Sequence, residues 1–192
     1  MSVLGSEGAG AEGAKACSLG REPQEKAGST IPTALKGRRQ PSMASTYTNL
    51  LYHVVFSTKD RIPLIQPDLQ ERLYEYMGGI IRGEGGVLLQ IGGVPDHVHL
   101  LTKLKADTAV AVLLRLLKSN SSKWVNEERL IPGRFGWQTG YAAFTVSESQ
   151  AAKVRNYIRT QESHHAKVSF KEELIALLKK HRIEYDERYI FD

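Results

Sequence analysis

Cysteine is almost missing from this chain: Cys17 is the only one in 192 residues. A lone thiol excludes an intramolecular disulfide framework and fits a reducing cytoplasm. Long apolar runs are missing too. None approaches the roughly 18 residues of a membrane span, so no membrane partner is expected. A strong charge of one sign is also lacking: the formal net charge is +5, a mild basic bias that suits a nucleic-acid partner without demanding one. Aromatic residues are absent from the first 42 positions, which hold seven of the 17 glycines.

That opening stretch reads differently from the rest. "GSEGAGAEGAK" (5–15) has neither a helical nor a strand-like apolar period and cannot bury enough surface to offset its ordering entropy. It has no apolar core of the kind a secretory signal needs. Residues 1–42 are therefore expected to be a disordered extension, with Met43 an alternative start and 43–192 the folded domain. Setting aside the six cations and four carboxylates of the extension leaves 20 Lys+Arg against 17 Asp+Glu. The body is only slightly basic.

The body has the length of one domain with a proper core. "TNLLYHVVFSTK" (48–59) is rich in β-branched and aromatic residues and predicts a buried strand. "PDLQERLYEYMGGIIRGEG" carries an apolar stripe at 69, 73, 77, 80 and 81 and predicts a helix ended by Gly83 and Gly85. Strands follow at 86–94 and 97–105, joined by a tight turn at Pro95–Asp96. A helix is expected over 107–128 with Asp107 as N-cap, then a strand over 137–147. One helix is expected over 147–164, started by Ser147 or Ser149, and another over 169–181, where Ser169 and Glu172 have capping-box spacing. The order β-α-β-β-α-β plus two helices predicts an α+β, ferredoxin-like antiparallel sheet with additional C-terminal helices.

The chemistry-bearing residues form two groups. In "VPDHVHLL" (94–101) His97 and His99 point to one face of their strand, roughly 7 Å apart, while Val98 and Leu100 point to the other. Two hydrogen-bonded structural imidazoles and a pair of metal ligands both fit this pattern. In "VRNYIRTQESHH" Tyr157 and Gln161 are four apart and would share a helical face. A tyrosine with an ordinary pKa near 10 is a poor nucleophile unless a base or cation assists it. An ion held by His97, His99 and the Gln161 oxygen would supply the cation if this helix crosses the open sheet face. His164 and His165 are expected at the surface or as groups that position a phosphate, and Trp137, Tyr141 and Phe144 in the core or as base-stacking groups.

These segments, with "YHVVFSTKDR", "LLKSNSSKWVNE", "WQTGYAAFTVSES" and "EYDERYIFD", resemble the single-tyrosine HUH transposases of small bacterial insertion sequences and their REP-associated relatives. The resemblance covers nearly the whole body and none of residues 1–42. It implies a catalytic Tyr157 on the first additional helix and cleavage of single-stranded, hairpin-bearing DNA through a 5′-phosphotyrosine. It further implies that His97, His99 and Gln161 bind Mg2+ or Mn2+, and that the protein is a homodimer in a bacterial cytoplasm. Mn2+ suits two imidazoles better than Mg2+, which prefers oxygen ligands. Arg155 and Arg159, which flank Tyr157, are expected to bind DNA; Lys59, Arg61, Lys103 and Lys118, with Lys105, Arg115 and Lys123, can also neutralise phosphates, although a solvated charged face accounts for any one of them. The other readings are a domesticated relative, a binding module without catalysis, and a small metal-dependent phosphoesterase.

Overall fold

The computed structural model describes residues 47–190; the expected extension over 1–42 lies outside them. Strand β1 spans Leu50–Ser57, helix α1 Pro67–Gly83, β2 Val87–Val94, β3 His97–Leu104, helix α2 Val110–Glu127 and β4 Ala142–Val146. Three helices follow: α3 Glu148–Arg159, α4 Gln161–His165 and α5 Phe170–Lys180. The sheet order is β2-β3-β1-β4 with every neighbouring pair antiparallel. This is the ferredoxin-like order expected.

Strand alternation divides the sheet into two chemically distinct faces. On one, Val54, Phe56, Val98, Leu100 and Leu104 pack with Leu69, Leu73, Met77 and Ile81 of α1 and Leu113, Leu114 and Leu117 of α2. Leu73, Met77, Ile81 and Leu117 are fully buried, and burying such a side chain contributes roughly 1.5–3 kcal/mol. The helical stripe of α1 is thus the lid of the main core. On the other face, α3 lays Ala151 and Ile158 against Leu51 and Leu101, and α5 lays Phe170 against Val55 and Phe144.

Three boundaries differ from expectation, each for a local reason. Asp107 does not cap α2. It sits in a turn closed by Thr108 N–H donating to the Lys105 carbonyl, and the helix starts three residues later. Strand β4 is five residues long, because the Thr139 and Gly140 carbonyls go to Lys118 Nζ rather than to a neighbouring strand. The expected helix over 147–164 breaks at Thr160, with φ −102° and ψ 21°. The Thr160 hydroxyl donates to the carbonyl of Asn156, a side-chain bond that competes with regular helix. Tyr157 therefore ends α3, and Gln161 begins α4. The Ser169–Glu172 capping box of α5 is present as expected. No described helix is long and apolar enough to cross a membrane.

Candidate active site

Close backbone approach sets the position of α3 over the sheet. A Cβ on Gly92 would stand 2.3 Å from the Ile158 carbonyl oxygen, and one on Gly93 would stand 2.2 Å from the His97 carbonyl oxygen. Glycine at 92 lets the end of α3 sit this low, one residue from Tyr157, and glycine at 93 lets β2 lie this close to β3. Gly92 pairs with His99 and Val94 with His97 in the β2–β3 register. The tight sheet-to-helix spacing and the two histidines are consequently parts of one construction.

A single carboxylate organises what lies between the layers. Glu173 of α5 is 3% exposed, and its two oxygens face different groups. Tyr157 Oη and Gln161 Nε2 both donate to Oε1. His99 Nε2 at 3.3 Å, His165 Nε2 at 3.1 Å and His97 Nε2 at 3.8 Å surround Oε2. Burial raises the Glu173 pKa, but the adjacent His99 ring and the bonds from Tyr157 and Gln161 outweigh it and hold the carboxyl well below the usual range. Burial pushes the Tyr157 phenol up, and its bond to the Glu173 carboxylate pushes it further. The tyrosine is held here as a phenol, hydrogen-bonded to an ionised carboxylate.

The proton inventory points to a cation. His97 Nδ1 lies 2.6 Å from Asp96 Oδ1, a carboxylate oxygen that can only accept, so Nδ1 carries the hydrogen and Nε2 offers a lone pair. His165 Nδ1 lies 2.8 Å from the Val168 carbonyl, which fixes a hydrogen there by the same logic. The His97 and His165 Nε2 atoms are nevertheless 2.9 Å apart, with Glu173 Oε2 alongside. Neutral, these two imidazoles aim lone pairs at one locus next to a carboxylate, an arrangement that needs a shared proton or a metal ion. The Nε2 atom of His99 and Oε1 of Gln161 are buried with no hydrogen-bond partner. Donor atoms of His97, His99, His165 and Glu173 all lie within 4.8 Å of one another and can hold a metal ion. A donor set of three imidazoles and a carboxylate fits a transition ion better than Mg2+.

Burial lowers the basicity of the histidines. His99 is pushed down to about 4, with Glu173 opposing, and His97 is lowered with Asp96 opposing. Asp96 is in turn held by Arg61, whose Nε and Nη2 donate to Oδ2 at 3.1 and 2.7 Å. Burial would raise Asp96, but the bonds from His97 and Arg61 prevail and bring it to about 2. Arg61 does this from a left-handed backbone, φ 57°, the kind of strain that persists only where surroundings enforce it. Beside the carboxylate a cavity of about 790 Å3 opens between β4, α3 and α5, lined by His53, Val154, Tyr157, Glu173, Leu177 and Lys180 among others.

The structure therefore brings together His97, His99, Tyr157 and Gln161, the last two despite the break at Thr160. It does not gather the six basic residues. Lys118 belongs to the opposite face: its Nζ lies over the Phe56 ring and bonds two carbonyls, and burial lowers its pKa to about 8. Arg61 serves Asp96. Lys59, Lys103, Arg155 and Arg159 are exposed, with Arg159 donating to Asn156 Oδ1. Trp137 and Phe144 pack internally, and Tyr141 is 44% exposed.

The main residues missed are His165, read as a surface group, and Glu173. A signal for Glu173 existed: Phe170, Glu173, Leu174 and Leu177 have the i, i+3, i+4, i+7 spacing of a buried stripe, and one of them is a carboxylate.

Residues 46–161 match the family model described as IS200-like transposase. The ISDra2 transposase TnpA of Deinococcus radiodurans is 27% identical over 118 residues, 58% of this chain and 84% of that protein. The transposase for insertion sequence element IS200 of Salmonella typhimurium is 25% identical over 127 residues, 64% of this chain and 83% of that one. Among solved structures, a Deinococcus radiodurans R1 protein described as a transposase superposes with TM-score 0.51 at 25% identity, covering 62% of this chain and 95% of its own. A REP-associated tyrosine transposase, bound to a REP hairpin, has the same fold with TM-score 0.50 at 13% identity, covering 65% of this chain and 74% of its own.

Proposed function

The chain belongs to the IS200-like transposase family, and on that premise we propose that it cuts and rejoins single-stranded DNA at hairpin-bearing ends through a 5′-phosphotyrosine on Tyr157. The observation that carries this reading is the meeting of the Tyr157 hydroxyl, the Gln161 amide and the imidazole group at one buried carboxylate.

In the forward step the Tyr157 oxygen bonds to phosphorus, the bond to the 3′ oxygen breaks, and that oxygen takes a proton from solvent to leave as a free 3′-hydroxyl. Glu173 Oε1, which already accepts from that phenol, takes the proton. Rejoining reverses the step: the 3′-hydroxyl attacks, the phosphotyrosine bond breaks and the phenol is restored, so the covalent link conserves the bond energy. A divalent ion held by His97, His99 and Gln161, with Glu173 Oε2 and His165 beside them, would neutralise the charge growing on the phosphate oxygens. Asp96, tied to Arg61, keeps the His97 lone pair turned inward.

The reading takes residues 43–192 as the transposase domain and a homodimer as its working form; β2 and β4 each leave a sheet edge in the described residues. Lys59, Lys103, Arg155 and Arg159 are the DNA-contacting cations it assigns, because they are exposed. The hairpin bound to the REP-associated protein of the same fold supports a hairpin substrate.

The test is hairpin-bearing single-stranded DNA from the flanks of the gene, incubated with Mn2+ or EDTA and run on a denaturing gel. The expected result is a metal-dependent protein–DNA adduct that disappears in Tyr157→Phe and in His99→Ala. DNA bound but never linked would instead make this a binding module.

A further inference from the structure

Each imidazole of the candidate metal group has a group behind it, and the three supports differ. His97 is backed by a carboxylate and His165 by a backbone carbonyl. His99 is backed by another imidazole: His53 Nε2 lies 3.0 Å from His99 Nδ1. His53 stands on β1, paired to Leu101 on one side and Phe144 on the other. It is 3% exposed, stacked on the His99 ring with centroids 5.3 Å apart and set edge-on to Tyr157 at 6.1 Å. It is not among the four side chains whose donor atoms converge.

A shared hydrogen between two imidazole nitrogens has one of two directions. If His53 donates, His99 accepts at Nδ1, its own hydrogen sits on Nε2, and it has no lone pair for an ion. If His99 donates, its Nε2 lone pair faces the other ligands, and His53 accepts at Nε2 while carrying its hydrogen on Nδ1. That is the less common tautomer of neutral histidine, so the surroundings must select it.

Resting on the metal-site reading above, we propose that His53 is a positioning residue for His99: it receives the His99 Nδ1 hydrogen and so turns the Nε2 lone pair into the site. Its role is to accept one hydrogen bond, not to touch ion or DNA. A glutamine can place an amide oxygen where His53 Nε2 stands, whereas phenylalanine fills the space and accepts nothing.

The experiment is calorimetric titration of the full chain with Mn2+, comparing wild type, His53→Phe and His53→Gln. Loss of such a support costs 10–100-fold in metal affinity. The expected result is a loss of about that size in His53→Phe and recovery to within roughly threefold in His53→Gln. Equal affinity in His53→Phe and wild type overturns the proposal, as does an equal loss in both variants. A second readout needs no variant: long-range 1H–15N spectra of the Mg2+-saturated wild type should show His53 protonated at Nδ1 and bare at Nε2. A hydrogen on His53 Nε2 overturns the proposal even if His53→Phe does not fold. Wild type that binds neither ion overturns the metal-site reading itself, and this inference with it.

Discussion

The two faces of the sheet are built from alternate residues of the same strands, yet they have almost nothing chemical in common. One face, under α1 and α2, is closed by Leu, Ile, Val, Met and Phe side chains at or near zero exposure. The other carries five of the chain's six histidines around one buried glutamate, and the sixth, His181, stacks on Phe144 beside them. Period-two alternation lets one strand serve both purposes without compromise: Val98 and Leu100 face the dry core while His97 and His99 face the site. Polar burial that would be unaffordable in a uniform core is tolerated because the apolar face supplies stability independently.

Three changes test how independent the faces are. The largest effect is expected from Glu173→Gln, which keeps size and removes the proposed proton acceptor. Cleavage should fall by about 10²–10⁴-fold, the usual worth of a positioned acid or base, with hairpin binding retained in a gel-shift assay. Activity within a few-fold of wild type would remove Glu173 from the chemistry. Next comes Leu73→Ala in α1, a fully buried side chain. It should cost about 2–5 kcal/mol in urea unfolding and leave Mn2+ affinity of the surviving fold unchanged; altered affinity would mean the faces are coupled. The third is an acid effect, spread over two pH units. Burial lowers His53 to about 3 and His99 to about 4, so below about pH 6.5 the unfolded chain takes up protons that the folded chain refuses. Stability of the metal-free protein should therefore fall from pH 7 to pH 5, by roughly 2 kcal/mol for each of the two histidines. Asp96 and Glu173, both held low, push the same way at still lower pH, because stability from an ionised carboxylate is lost as pH falls. The slope should flatten in His53→Phe.

Much of this was legible beforehand. The order of strands and helices follows from two clean periodicities, and His97 and Tyr157 could be placed on their elements because each lies in a strongly patterned segment. The remainder was hidden for definable reasons. Glu173 looks like an ordinary member of a capped helix, since Glu172 next to it already explains an acidic first turn. His53 becomes visible only through the β1–β3 register, which puts it diagonally beside His99. The break at Thr160 escapes a reading based on glycine and proline, because the competing bond comes from a hydroxyl.

Strand β3 lies inside the sheet, with β2 on one side and β1 on the other, whereas α5 is bound to the rest through a few side chains on one face. Amide exchange orders such parts by their opening free energies: the backbone of His97 and His99 belongs to the slowest class, and that of Glu173 to a faster one. His97 and His99 on one side and Glu173 on the other are therefore expected to have separate lifetimes. Under partial denaturation the carboxylate is expected to leave first, while the two imidazoles of β3 are still held side by side.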